Sequence, residues 1–346
     1  MHKCLSLLLL LLSYSGGNTC TTFLLNHNGR LVFGRNYDWV SGNGMVCTNQ
    51  RGLVKTSFKN PDGTTISWTS KYGSISFNQY GKEFPTGGMN EQGLVVELMW
   101  LDGTVYPPAA DKRPAIGVLQ WIQYQLDNCA NIDEVISTDV KLRITSSGTP
   151  LHYLIADAKG NAATIEFLDG KLVVHKGDQL PFPVLTNNTY DQSVANKNKG
   201  TWSGDNSLER FVTVCNMVQQ YKTNPGNRSL TDHAFDILHK VSQGNFAKWS
   251  IVYDISNKKI YFKTEQFSQS RYLSFDAFDF SCMQPSKTMD INTALKGDIG
   301  SRLNTFTSAF NARIIEKTLV QSRTRIAIPD PQKRALQAYP GTIHCE

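Results

Sequence analysis

The residue best placed to do chemistry is a cysteine that follows a leader-like segment. Residues 1–19 begin with His2 and Lys3, continue through an apolar run from Leu5 to Leu12 and end in small or polar residues, which is typical of an export signal. Removal of that segment would make Cys20 the first residue of the mature chain. Such a residue carries a thiol nucleophile and a free α-amine that can act as its base.

The sequence offers this cysteine no obvious histidine partner. None of the seven histidines stands in a catalytic spacing with a cysteine or an aspartate, and the GxSxG, HExxH, P-loop and strand-following GxGxxG patterns are absent. The pair His344-Cys345 is too small a ligand set for a metal, so we expect neither a metal nor a cofactor. An α-amine, with a pKa of about 7.7 to 8, suits neutral pH better than a lysine at about 10.4.

The composition argues against a membrane protein and against a nucleic-acid-binding protein. Of the 346 residues, 40% are hydrophobic and 18% are charged. A membrane span needs about 20 consecutive apolar residues, and the sequence after the leader contains no such run. The net charge of +6 is spread along the chain without a basic block, which argues against nucleic acid as a partner. Cys4 leaves with the leader, so six cysteines remain. If Cys20 stays a thiol, at most two intrachain disulfides can form, and the sequence does not give their pairing.

Strand and turn patterns place Cys20 at the start of a β-hairpin. Two β-prone runs flank Asn28-Gly29, and these two residue types accept the positive φ values of a type I′ turn. The stretch from Thr64 to Trp100 is also strand-like, with breaks at Gly87-Gly88 and Gly93 and a buried strand predicted over Leu94–Leu98.

The rest of the chain alternates between helical and strand patterns. Further strands are predicted over Leu151–Ala156, Ala162–Phe167, Lys171–His175, Trp249–Asp254 and Lys259–Thr264. Helices are predicted over Ile116–Leu126, Ser207–Tyr221 and Asp232–Ser242. This order indicates one α+β layered domain over residues 20–320, and the three prolines of residues 321–346 favour a C-terminal tail.

Five short blocks then carry a resemblance to a known family. In chain order they are Cys20 to Thr22, Gly34 to Trp39, Gly88 to Leu94, Val184 to Asn187 and Ser207 to Phe211. Together they resemble the choloylglycine hydrolase family, whose bile salt hydrolases and penicillin V acylases are N-terminal nucleophile hydrolases. The resemblance implies a four-layer αββα sandwich with antiparallel sheets, amide hydrolysis without a cofactor and a homo-oligomer, in the family often a tetramer.

The resemblance also implies roles for single residues. Cys20 would attack the scissile carbonyl and form a thioester, with its own α-amine as base. Asp38 would orient that amine and Arg35 would favour the thiolate. Asn187 would donate to the oxyanion, a contribution typically worth about 3 kcal/mol, and Arg210 would complete the polar network. Without the family pattern, Cys20 would be a buried thiol and Arg35 with Asp38 a surface ion pair. Asn187 would hold a turn, and Arg210 would be an exposed charge on a helix.

Two tryptophans set the chain apart from many members of the family. Trp100 stands where others carry Asn or Tyr, so an oxyanion donor there is either the backbone N–H or the indole N–H. Trp39 and Trp100 together resemble the Gram-negative branch, which includes penicillin V acylases and acyl-homoserine-lactone acylases. They would wall an apolar pocket for the acyl group or serve as core.

The sequence therefore predicts a periplasmic or secreted cysteine amidohydrolase for a small amide with an apolar acyl group, similar to penicillin V acylase. Bile salt hydrolase and acyl-homoserine-lactone acylase specificities are alternatives, and lipid amides stay open. A hypothesis from another class is a secreted binding protein in which Cys20 remains blocked, because an acylated nitrogen is no base at neutral pH.

Overall fold

The computed structural model describes residues 20–60, 63–146, 148–201 and 203–346, so the predicted export segment 1–19 lies outside the described residues. The strands are β1 (Thr21–His27), β2 (Arg30–Asp38), β3 (Met45–Asn49), β4 (Leu53–Thr56), β5 (Ser67–Thr69), β6 (Ser74–Asn78), β7 (Pro85–Asn90), β8 (Val95–Trp100), β9 (Ala115–Ile116), β10 (Arg143–Ile144), β11 (Leu151–Ala156), β12 (Ala162–Leu168), β13 (Lys171–Lys176), β14 (Val184–Leu185), β15 (Ala247–Asp254), β16 (Lys259–Thr264), β17 (Arg271–Ser274), β18 (Lys287–Asp290), β19 (Gly297–Asp298), β20 (Asn304–Thr305) and β21 (His344–Cys345). The helices are α1 (Val118–Asn128), α2 (Ile132–Ser137), α3 (Tyr190–Lys199), α4 (Asn206–Thr223), α5 (Leu230–Lys240), α6 (Ser308–Ser322) and α7 (Asp330–Ala338).

Two large sheets carry the fold. Sheet A has the strand order β14-β1-β2-β15-β16-β17-β19, and sheet B has the order β13-β12-β11-β8-β7-β6-β3-β18-β20. Neighbouring strands are antiparallel in both sheets except for the β17-β19 pair. Helices α4 and α5 pack on sheet A, and α1 packs on sheet B. The predicted αββα sandwich is therefore confirmed.

The two sheets are joined by large buried aromatic side chains. Phe77 of β6 meets Tyr253 of β15 and Phe262 of β16 edge to face, with ring centroids 6.2 and 5.5 Å apart. All three residues are fully buried. Burying one such side chain is worth about 1.5 to 3 kcal/mol, and the edge-to-face geometry adds to it. These contacts fix the separation of the sheets, and with it the position of every residue that lies between them.

The predicted first hairpin is confirmed and sets the position of Cys20. Asn28 and Gly29 both have positive φ, at 51° and 78°, as a type I′ turn requires. The resulting register pairs Thr21 with Asn36. Cys20, directly before β1, thereby lies beside the end of β2.

Gly87 lies inside β7 and does not interrupt it as the sequence suggested. A Cβ atom at this position would collide with the carboxylate of Glu97, which comes from the neighbouring strand β8. The missing side chain is thus required by close packing and not by a turn.

Residues 321–346, here called the C-terminal segment, are ordered against the sandwich where the sequence suggested a tail. Its helix α7 packs on α6, its strand β21 pairs with β4, and Cys345 forms a disulfide with Cys282. Leu336 and Tyr339 are buried in an apolar cluster with Phe84 and Ile315. The prolines end and begin elements here: Pro329 directly precedes α7 and Pro331 stands in its first turn.

Among the described ranges, no helix combines the length and the apolar character that crossing a bilayer demands.

Candidate active site

Cys20 lines a cavity of about 210 Å³. Its side chain is almost fully buried, and Sγ donates to the backbone oxygen of Asp38 at 3.8 Å. Leu98, Trp39 and Trp100 line the same cavity. A carbonyl group bound in this cavity could therefore reach the sulfur.

The surroundings hold the Cys20 sulfur in its thiol form. Burial raises the pKa of Cys20 above its usual range, the charge of Arg35 lowers it, and the charge of Asp38 raises it again. Arg210 lowers it further, but burial prevails. A nucleophile with a raised pKa needs a nearby base to take its proton.

A chain of hydrogen bonds links Cys20 to Asn187 and Trp100. One Arg210 terminal nitrogen donates to the backbone oxygen of Cys20 at 2.7 Å and to Oγ1 of Thr21 at 2.6 Å. The other donates to Oδ1 of Asn187 at 2.9 Å, and Nδ2 of Asn187 donates to the backbone oxygen of Trp100 at 2.8 Å. Both ends of the Asn187 amide are thereby held, which fixes its orientation.

Local sequence explains how α4 presents Arg210 to this chain. The carboxylate of Asp205 accepts from the backbone N–H groups of Ser207 and Leu208 and so caps the helix. Ser207 in turn accepts from the backbone N–H of Asn187 through its hydroxyl, at 2.8 Å. The start of the helix and the asparagine are therefore positioned together.

Arg35 belongs to a buried ionic cluster beneath Cys20. Its Nε lies 2.8 Å from a carboxylate oxygen of Glu97, and one of its terminal nitrogens donates to the backbone oxygen of Leu98 at 3.0 Å. The hydroxyl of Tyr253 donates to the other oxygen of Glu97. Burial raises the pKa of Glu97 to about 7, although Arg35 and the Tyr253 hydrogen bond both lower it. The cluster joins sheet A to sheet B at the level of the cysteine.

Asp38 ends β2 and is fully buried beside both Cys20 and Arg210. Its charge raises the pKa of the Cys20 thiol. Burial lowers the pKa of Arg210, and the Asp38 charge opposes that effect. A carboxylate at this position is well placed to attract a cation formed at the nitrogen of Cys20.

The two tryptophans that line the cavity stack on each other. Trp39 and Trp100 have ring centroids 5.9 Å apart and planes inclined by 29°. The Trp39 indole N–H donates to the hydroxyl of Tyr80 at 3.1 Å, and the Trp100 indole N–H donates to Asp102 at 2.5 Å. The indole N–H of Trp100 is thus already engaged with a carboxylate.

The structure thus gathers the expected residues around one cavity. Cys20, Asp38, Trp39 and Trp100 line it, and Asn187 and Arg210 join it through the hydrogen-bond chain. Arg35 lies one layer deeper, where its charge acts on the sulfur.

Sequence reasoning missed two groups of residues at the site. Glu97 stands in the predicted buried strand Leu94–Leu98, and a carboxylate at such a position must have a partner, which was the available signal. The cavity is also lined by Ile326, Ile328 and Leu336 of the C-terminal segment, and no local pattern predicts this.

Across the described residues, no cluster of three or more His, Cys, Asp or Glu side chains is arranged to hold a metal ion.

Comparison with known proteins shows the family to which the chain belongs. Residues 20–207 match the model of the linear amide C–N hydrolases of the choloylglycine hydrolase family. The chain is 31% identical over 213 residues to a penicillin V acylase of Pectobacterium atrosepticum, an alignment that covers 55% of this chain and 55% of that protein.

Solved structures extend the likeness to most of the chain. A penicillin V acylase of Agrobacterium tumefaciens superposes with a TM-score of 0.71 at 26% identity, covering 83% of this chain and 98% of the other. A variant of the conjugated bile acid hydrolase of Clostridium perfringens gives 0.69 at 20% identity, covering 80% and 98%, and this likeness shows the fold alone. Both acylases come from Gram-negative organisms, in agreement with the branch that the two tryptophans predicted. The chain belongs to the choloylglycine hydrolase family of linear amide C–N hydrolases.

Proposed function

We propose that this protein hydrolyses a linear amide with Cys20 as nucleophile and with the α-amine of the same residue as base, after export to the periplasm or the medium. The observation that carries the proposal is the position of Cys20 in the lining of an apolar cavity, held beside Asp38 and Arg210. In the uncleaved chain the Cys20 nitrogen is an amide and cannot accept a proton. Catalysis therefore requires cleavage between residues 19 and 20.

The first chemical step is attack by sulfur. The thiol proton passes to the α-amine, sulfur forms a bond to the substrate carbonyl carbon, and the carbonyl oxygen takes the negative charge. Asp38 stabilises the resulting ammonium, and the charge of Arg35 stabilises the thiolate that forms as the thiol loses its proton. Arg210 fixes the backbone of Cys20 through its 2.7 Å hydrogen bond, so the amine and the sulfur keep their relative position.

Asn187 supplies a donor to the oxyanion. Its amide is held at Oδ1 by Arg210 and at Nδ2 by the backbone oxygen of Trp100. An amide nitrogen carries two N–H groups, and the second one donates to the developing oxyanion. Because the amide is already oriented, no reorganisation is needed during the reaction.

Collapse of the intermediate and deacylation complete the cycle. The ammonium of Cys20 returns its proton to the leaving nitrogen, the C–N bond breaks and a thioester remains on sulfur. Water then attacks the thioester with the α-amine as base, the C–S bond breaks, and the proton restores the thiol. The products are a carboxylic acid and an amine.

The cavity supports an aromatic or aliphatic acyl group. Five aromatic side chains line it, those of Trp39, Phe58, Tyr80, Phe84 and Trp100. Aromatic walls favour flat or apolar ligands. The relatives named penicillin V acylase favour the phenoxyacetyl amide of penicillin V as the first substrate to test.

Exposure of Cys20 is the condition that an experiment can check. The protein is expressed with its own leader, recovered outside the cytoplasm and examined by intact mass and N-terminal sequencing. It is then assayed for amine release from penicillin V, an acyl-homoserine lactone and a glycine-conjugated bile salt. We expect a chain that begins at Cys20 and turns over at least one of these amides.

Two outcomes would overturn the proposal. An active protein that begins upstream of Cys20 would exclude the α-amine as base. A protein that begins at Cys20 and turns over none of these amides would reject the proposed hydrolysis, whereas an inactive protein that begins upstream of Cys20 would point to a precursor or to the binding-protein hypothesis. We further propose that Cys20 removes any residues left before it. A Cys20→Ala chain that still begins at residue 20 would contradict this self-processing.

A further inference from the structure

The cavity that Cys20 lines is also lined by a distant part of the chain. Ile326, Ile328 and Leu336 line it, and all three belong to the C-terminal segment. Ile328 and Leu336 pack in an apolar cluster separate from the one that contains Cys20, and we call their part of the cavity its far end. All three residues lie outside residues 20–207, the part that matches the family model, so that match does not give them a role.

The C-terminal segment is anchored firmly enough to act as a wall. Tyr339 packs edge to face on Phe58 and Phe84, with ring centroids 5.2 and 5.1 Å away. The disulfide Cys282–Cys345 and the pairing of β21 with β4 hold the end of the segment. Both sides of the segment are thereby fixed, one by packing and one by a covalent bond.

The chemistry of the cavity limits what reaches this wall. Among the described residues that line it, Asp38 is the only one with a formal charge at neutral pH, and it lies at the Cys20 end. The far end presents aliphatic side chains and the amide of Gln332. A ligand that extends from Cys20 to this end must be uncharged and apolar there, because an unpaired charge would be costly to bury.

We propose that the C-terminal segment forms the end of the acyl pocket and sets the length of the acyl chain that the protein accepts. The proposal rests on the proposed amide hydrolysis and adds its substrate class: amides whose acyl part is an extended, uncharged chain that reaches Ile326, Ile328 and Leu336. Removing side-chain volume from the wall lengthens the accepted chain, and adding volume shortens it.

A first test compares two deletions of the same size. Leu336→Ala opens the wall, while Leu319→Ala removes the same atoms from the same apolar cluster without lining the cavity. Both are assayed on straight-chain acyl amides of one amine, from butanoyl to dodecanoyl. We expect Leu336→Ala to raise the ratio of kcat/KM for the longest to the shortest chain at least about tenfold, and Leu319→Ala to leave that ratio unchanged.

A second test fills the same space. Ile328→Trp adds volume at the wall, and Ile343→Trp adds it to a residue of the same cluster away from the cavity. The long-to-short ratio should fall at least about tenfold in the first variant alone. If each of the four variants changes kcat/KM by one common factor for every chain length, the wall does not determine specificity and the proposal is wrong.

Binding separates this proposal from the chemistry on which it rests. The chain that begins at Cys20 is titrated with straight-chain carboxylic acids from butanoic to dodecanoic, which it cannot hydrolyse, with and without Leu336→Ala. Binding is followed by tryptophan fluorescence, to which Trp39 and Trp100 of the cavity contribute. If the affinity depends on chain length and Leu336→Ala shifts that dependence, the proposed role of the wall is supported. This holds even if the wild-type chain hydrolyses no amide, since that result would reject only the hydrolysis. If turnover does not depend on chain length, or if no acid binds, the C-terminal segment does not set the accepted chain length and the proposal is wrong.

Discussion

The polar network around Cys20 and the apolar wall at the other end of the cavity are held together by different forces. Around Cys20, Arg210 joins Cys20 to Asn187 through directed hydrogen bonds between buried groups. At the wall, Leu336 and Ile328 are held by packing in an apolar cluster. Breaking a buried hydrogen bond leaves its partner unsatisfied, whereas trimming an apolar side chain changes volume by degrees. Changes at the first end should affect all substrates alike, and changes at the second should discriminate between them.

The largest expected effect comes from removing the sulfur. Cys20→Ala should reduce amide hydrolysis at least about 10⁴-fold for every acyl chain, because both chemical steps pass through that atom. Amine release measures this, and Cys215→Ala, which removes another buried free thiol away from the cavity, is the matched control. Comparable activity in the two variants would show that the nucleophile lies elsewhere.

Loss of the oriented amide ranks next. Asn187→Ala should lower kcat about 10² to 10³-fold with little dependence on the acyl chain, since it removes a donor to the transition state and leaves Arg210 without one acceptor. The neighbouring Asn188→Ala makes the same truncation at a residue whose amide contacts Asp205 instead. Stopped assays at saturating substrate distinguish them. An equal kcat for the two variants would remove Asn187 from the proposed oxyanion site.

Releasing the wall should have a smaller and selective effect. In Cys282→Ser/Cys345→Ser the C-terminal segment keeps its apolar contacts but loses its covalent anchor. We expect kcat/KM to fall about tenfold for long acyl chains relative to short ones, because only long chains lose contacts with an ordered wall, whereas a loss at Cys20 affects every chain alike. The assay must run well below the unfolding temperature, because a disulfide also stabilises the fold as a whole. An unchanged ratio would mean that packing alone positions the wall.

The smallest effect concerns stability and arises below the catalytic residues. The folded pKa of Glu97 is about 7, above the ordinary value of 4.5. A raised acid pKa favours folding below pH 4.5, and this advantage is lost as the pH rises to 7. Relative to Glu97→Gln, the wild-type free energy of unfolding should therefore fall by about 2 kcal/mol between pH 5 and pH 8. Urea unfolding of both chains at the two pH values measures it. A difference that does not change with pH would mean that Glu97 stays charged in the folded protein.

The part of the site that the sequence predicted depends on local patterns and short blocks. The turn at Asn28-Gly29, with its two positive φ values, follows from residue type alone, and it places Cys20 against the end of β2. The family blocks then supplied Asn187 and Arg210, which no spacing rule would connect with Cys20. In the structure Arg210 contacts both Cys20 and Asn187, and the catalytic roles of the three residues stay predictions.

What the sequence did not predict are contacts between distant segments. An apolar run around Glu97 indicates burial, but its partners Arg35 and Tyr253 come from strands of the other sheet. In the C-terminal segment, Ile326 and Ile328 stand among prolines and charged residues. Two apolar residues are too few to show the period of a helix or a strand. Their burial arises only when the segment meets the cavity, so the composition pointed to a tail.

Gly87 has a consequence for how this sequence can change over time. The space that a side chain would need at position 87 is taken by the carboxylate of Glu97 on the adjacent strand. Gly87→Ala should therefore be tolerated only in a chain that already carries a small residue at position 97. Losing Glu97 first would also leave Arg35 buried without its carboxylate. Both routes away from the present pair are thus closed to single substitutions, and the pair is expected to persist or to change together with Arg35.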